Sequence, residues 1–143
     1  MTSLGLLLGV VLVGLGVFLY ERSRRSTHPV TAGRCESRLL PYQRDFELYH
    51  NDFSLCSKKA RLCLAELGIH ARLHPVDLIE TGRYENLSRD FLQVNPAGLV
   101  PVLVHRGHPI YESHEQIRYA AGSLEDFDVE SRVAVGFRPH ASV

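Results

Sequence analysis

From Leu4 to Tyr20 the chain is apolar residue and glycine throughout, and no charge occurs before Glu21. Spanning a bilayer takes about 20 apolar residues, with a lower limit near 17, so the pattern predicts a single transmembrane anchor over residues 1–21. Residues 22–45 lose it: they are polar and basic, with Pro29, Gly33 and Pro41 breaking any long period, as a juxtamembrane linker would be. Phe46 to His50 has strand preferences and runs into a polar loop, Asn51 to Ser54. From Leu55 a helical period takes over, with Cys56, Ala60, Cys63, Leu64 and Leu67 recurring before Gly68 stops it.

His70 to Leu78 alternates as a second strand, with Pro75 marking an edge or a bulge. A right-handed crossover makes it parallel to the first. Glu80 to Val94 carries scattered apolar positions, consistent with a short or irregular helix, and Asn95-Pro96-Ala97-Gly98 is a turn. Val100 to His105 and His108 to Tyr111 form a hairpin about Arg106-Gly107. Ser113 opens a last helix through Ala121, with Gln116 three residues on completing a capping box. The expected fold class is therefore α/β: a thioredoxin-like β-α-β-α-β-β-α domain over residues 46–121, preceded by the transmembrane helix. Residues 122–143 hold no sustained period and are expected to form a disordered tail, read as a truncated or alternatively spliced end.

Charge adds little. The chain of 143 residues has 16 basic and 16 acidic side chains, which gives no reason to expect nucleic acid. The one local bias, Arg22, Arg24 and Arg25, follows the apolar run and places the domain on the cytoplasmic side of the membrane. A cleaved secretory signal fits less well, because no basic residue precedes the run and no small-x-small site follows it. Gly5 and Gly9 make a GxxxG; a homodimer packed through them and the plain abundance of glycine in spans are both open readings. Three cysteines are too few for a disulfide framework, and Cys56 and Cys63 are separated by about 10 Å of helical rise, too far to bridge. The domain is read as reduced. Cys35 invites palmitoylation in such a linker, although an unmodified thiol is the simpler state.

A strand aimed into a helix start gathers unpaired backbone N–H groups at one point, here beside the Ser54 hydroxyl and the Cys56 thiol. Such a place holds an anion or a thiolate. The plainer reading is that Ser54 and Ser113 merely cap their helices. Lys58 and Lys59 read as solvated helix residues, and His105 and His108, without Cys or acidic companions, make no metal site.

The segments ELYHNDFSLCSKKARLCLAELGI, NPAGLVPVLV and IYESHEQIRYAA, in this order and spacing, resemble the N-terminal domain of the glutathione S-transferases, and among them the serine-type theta, zeta and bacterial classes. The resemblance covers about half the chain. The ganglioside-induced differentiation-associated proteins, membrane-anchored at their other end, share the LYH start. The resemblance implies glutathione as co-substrate, no metal, and a small electrophile as the second substrate. It implies that Ser54 stabilises the glutathione thiolate, with Ser57 and Cys56 as competing positions. Val100 would pair through its backbone with the cysteinyl part beside a cis Pro101. Glu112 and Ser113 would hold the γ-glutamyl amino and carboxylate groups. Glutaredoxins carry two cysteines where Ser54 and Ser57 stand, so dithiol exchange is not expected, and Cys56 is read as a half-buried packing residue.

The family's enzymes continue into an all-helical domain that lines the electrophile pocket, and the tail here does not resemble one. Poor or absent turnover is therefore expected of this form. The alternative reading is a non-catalytic, membrane-tethered glutathione-binding or protein-interaction module using an exposed apolar helix face.

Overall fold

The computed structural model describes residues 2–79 and 82–123. Its elements are α1 (Thr2–Arg24), β1 (Gly33–Arg34), β2 (Phe46–His50), α2 (Leu55–Glu66), β3 (Arg72–Pro75), a 3-10 turn (Glu85–Leu87), α3 (Arg89–Val94), β4 (Val102–His105) and β5 (His108–Tyr111). A last helix, α4, occupies residues 113–123. The chain divides into two units, one of residues 1–30 and 77–99, the other of 31–76 and 100–143.

In the first unit, α1 is helical as the apolar run predicts, and its described apolar side chains from Leu7 to Tyr20 are exposed. The transmembrane span itself is not shown: among the described residues no helix is long and apolar enough to cross a membrane. The expected second helix is short and preceded by the 3-10 turn, and Glu80, where it was expected to begin, lies outside the described residues. Ser88 caps α3, its Oγ accepting from Phe91 N at 3.2 Å. The Asn95–Gly98 turn closes on itself, with Gly98 N donating to Asn95 O at 2.9 Å and Asn95 Nδ2 to Leu99 O at 2.7 Å.

The second unit holds the sheet, in the order β1-β5-β4-β2-β3. β2 pairs parallel with β3 and antiparallel with β4, and β4 pairs antiparallel with β5. Pro75 ends the edge strand β3, where its missing N–H disrupts no inner ladder. The period of two sends Leu48, Leu103 and Ile110 to the face carrying Ala60 and Leu64 of α2 and Ala120 of α4, and these six form the core. On α2 the core face is Ser57, Ala60 and Leu64. Cys56, expected half-buried, is exposed, because Ser57 occupies the position three before Ala60 that faces inward. Gly68, at φ +68, ends the helix in the left-handed conformation expected of it.

The β4–β5 turn places Arg106 at φ 48 and Gly107 at φ 85, both positive as a two-residue hairpin of the primed kind requires. A side chain at Gly107 would lie 2.7 Å from the Leu40 carbonyl oxygen, and Leu40 N donates to Gly107 O at 2.7 Å. Part of the stretch read as linker is thus bound to the sheet: Gly33 and Arg34 extend it beside β5, and Cys35 N donates to Pro109 O. Arg34 also donates to Tyr119 Oη at 2.7 Å, and that hydroxyl meets His105 Nδ1 at 2.6 Å. Burial, with Arg106 and Arg34 nearby, lowers the His105 pKa, Asp45 opposing. The tail beyond residue 123, expected to be disordered, lies outside the described residues.

Glu47 is buried on the other face of β2. It accepts from Gln43 N at 2.6 Å, Arg44 N at 3.1 Å and His74 Nε2 at 2.8 Å. Burial raises its pKa, but these donors outweigh burial and hold the carboxyl below its usual range. A depressed carboxylate contributes stability above its unfolded pKa and loses it as pH falls through the folded one. Glu47→Gln should therefore lower unfolding stability at pH 7 by about 2 kcal/mol. In urea titrations from pH 7 to 3, the wild type's advantage should vanish at the acid end.

Candidate functional site

The register fixes what meets what. Tyr49 lies opposite Val102, His50 opposite Pro75, and Leu103 opposite Ile110. The end of β2, the start of β4 and the end of β5 therefore lie at one end of the sheet. The segments leaving these points carry Ser54, Val100-Pro101 and Glu112-Ser113, so all five residues singled out from the sequence gather there.

The loop into α2 is built by two side chains that periodicity did not mark as functional. Asn51, buried, accepts from Phe53 N at 2.9 Å and Ser54 N at 3.1 Å through Oδ1, and donates from Nδ2 to Val76 O at 3.0 Å. This is the side-chain turn that asparagine favours, and the Asn-Asp pair was its sequence signal. Ser57, fully buried, accepts from Asn51 N at 3.2 Å through Oγ. Ser57 faces the core, whereas Ser54 stands at the partly exposed helix start. Asp52 pairs with Arg61, nearly two turns into α2. His50, buried beside this pair, has its pKa lowered by burial and then by Arg61, with Asp52 opposing.

Ser54 caps α2 from extended backbone (φ −66, ψ 121), its Oγ accepting from Ser57 N at 3.3 Å. The cap uses a lone pair, so the hydroxyl proton is left to donate outward from a helix start whose dipole favours negative charge. Cys56 is exposed two residues on, whereas Cys63 is half-buried and burial pushes its thiol up. At the second segment the Val100–Pro101 bond is cis, as the resemblance implies. At the third, Glu112 is exposed with φ 67, a conformation rare outside glycine and concentrated at functional positions. Ser113 follows as the first residue of α4.

The expected capping box does not form. Gln116 is buried, and its Nε2 donates to Pro101 O at 2.8 Å and Ile110 O at 2.9 Å instead of reaching back to its own helix start. Capping is local, whereas the fold brings the Pro101 and Ile110 carbonyls within reach of the buried amide. Among the described residues, no group of three His, Cys, Asp or Glu is placed to hold a metal ion.

The fold is shared with known proteins. The family model for the glutathione S-transferase N-terminal domain matches residues 53–122. Those residues are a glutathione S-transferase N-terminal domain. Glutathione S-transferase 1 of Dianthus caryophyllus is 37% identical over 73 residues, covering 51% of this chain and 32% of its own. Glutathione transferase E6 of Drosophila melanogaster superimposes with a TM-score of 0.51 at 32% identity, over 55% of this chain and 34% of that one. Human glutathione transferase theta-2, solved in complex with glutathione, gives 0.52 at 26% identity, over 56% of this chain and 32% of that one. The chain spans about a third of the length of these relatives.

In this glutathione S-transferase N-terminal domain the Ser54 loop depends on Asn51. Asn51→Ala removes both acceptor bonds and the bond to Val76, and should cost about 3 kcal/mol. Urea denaturation checks the magnitude, and a loss below about 0.5 kcal/mol would show that the loop holds without it.

Proposed function

We propose that this domain binds glutathione at the shared sheet end, in the manner of the serine-type transferases. The Ser54 hydroxyl donates to the glutathione sulfur. The Val100 backbone pairs with the cysteinyl unit as an added strand would. Glu112 meets the γ-glutamyl amino group, and Ser113 with the start of α4 takes its carboxylate. The observation that carries the reading is the Ser54 cap, which spends a lone pair and keeps its proton at a helix start. A donor there stabilises thiolate over thiol, and each pKa unit gained is about 1.4 kcal/mol. The lowered pKa raises the thiolate population available to attack a small electrophile.

A second reading, a non-catalytic glutathione-binding or interaction module, is favoured by Leu55 and Leu62 of α2, which are 73% and 62% exposed. Retention on immobilised glutathione, followed by a conjugation assay with a dinitrophenyl halide, separates the two. The wild type should be retained, and Ser54→Ala should lose about tenfold or more in conjugation while giving up about 1 kcal/mol of cap stability. Binding without turnover selects the module, and failure of the folded wild type to bind rejects both.

We propose also that α1 tethers the domain to a membrane with the domain facing the cytoplasm. Support comes from the uncharged run of residues 1–20, the exposed apolar side chains of α1, and the arginines at 22, 24 and 25. The chain expressed in cells should stay in the pellet after alkaline carbonate extraction, and deletion of residues 1–21 should release it. Release of the full chain would count against the tether.

A further inference from the structure

We infer that Gln116 is a positioning residue that clamps the cis Val100–Pro101 turn to the start of α4, and so sets the glutathione contacts on both sides. The inference rests on the glutathione reading above. Gln116 is 1% exposed, and through three bonds it touches three segments. Its side-chain amide donates one proton to Pro101 O at 2.8 Å and the other to Ile110 O at 2.9 Å. Its backbone N donates to Glu112 O at 3.0 Å. One residue thus ties together the turn before β4, the last residues of β5, and the peptide between Glu112 and Ser113. Donation to both carbonyls fixes the amide orientation and leaves Oε1 buried with no partner.

That arrangement is poor for stability alone. A buried carbonyl without a donor is costly, and an apolar side chain of the same volume would avoid it. Gln116 lines a small apolar cavity together with Ala60, Cys63, Leu64, Leu103, Ile117 and Ala120. A glutamine placed among them is accounted for by what its amide holds in place. Val100 and Glu112 present backbone and charge to opposite ends of a short peptide, and preorganisation of such contacts sets affinity. A hydrogen-bonded clamp fixes the direction of the Pro101 and Ile110 carbonyls, which apolar packing does not.

The test compares wild type with Gln116→Leu, Gln116→Asn and Gln116→Glu, and with Leu48→Val as a core change outside the clamp. In Gln116→Leu, glutathione Kd should rise about tenfold, while Leu48→Val leaves it unchanged. Amide hydrogen exchange without ligand should speed up in residues 100–102 and 112–113 of Gln116→Leu. The shorter Gln116→Asn, which cannot span both carbonyls, should show the same local opening if the leucine variant fails to fold. Gln116→Glu has no side-chain donor when ionised, but burial raises its pKa and its protonated form donates once. Its affinity relative to wild type should therefore recover from pH 8 to 5, while that of Gln116→Leu stays level. Unchanged exchange at both segments, or equal loss of affinity in Leu48→Val, overturns the clamp. If wild type binds no glutathione, the site reading fails, and the exchange result alone then decides the clamp.

Discussion

The pairing of β2 with β4, Tyr49 opposite Val102, is the constraint on which the rest of the second unit depends. An antiparallel pair brings the end of one strand to the start of the other. The loop leaving β2 and the turn entering β4 therefore share one end of the sheet, whatever their own sequences favour. The β4–β5 hairpin then returns the chain to that end, so the start of α4 arrives there as well. A slip of one residue in this register would turn Leu48 and Leu103 away from α2 and expose the core. The hydrophobic pattern that holds the fold thus also sets the geometry of the candidate site.

Polar groups at the rim of this core do the local positioning. Asn51 and Ser57 satisfy the backbone where β2 gives way to α2, and Gln116 does so where β4 and β5 meet α4. Glu47 ties the incoming chain at Gln43 and Arg44 to the sheet. Buried backbone donors and acceptors need partners. In each case a side chain of fitting length reaches a backbone group that the fold brings near it.

Much of this was legible in advance. The strand at Phe46–His50, the helix from Leu55 with its glycine stop, the hairpin about Arg106-Gly107 and the helix from Ser113 all carry strong local signals of period, cap or turn. The resemblance implied the cis Val100–Pro101 bond. The β1 strand left no such trace, since two residues, Gly33 and Arg34, are too few to show alternation. Cys56 was placed inward because a cysteine reads as apolar, yet the helix turns Ser57 to the core, where its hydroxyl serves Asn51. Gln116 fitted a local capping box equally well, and sequence spacing does not show that Pro101 O and Ile110 O lie nearer.

By itself the sequence determined the order of the elements, their turns, and which residue types stand at the two helix starts, because these follow from interactions within a few positions along the chain. It determined also the apolar run of α1, as a property of composition. Only the tertiary structure decided that Ser54, Pro101 and Ser113 share one sheet end, and that Ser57, Asn51 and Gln116 hold them there. Those contacts join residues up to 25 positions apart, as from Asn51 to Val76. Their partners are backbone groups, which every residue carries alike, so folding alone selects which of them is left to be satisfied.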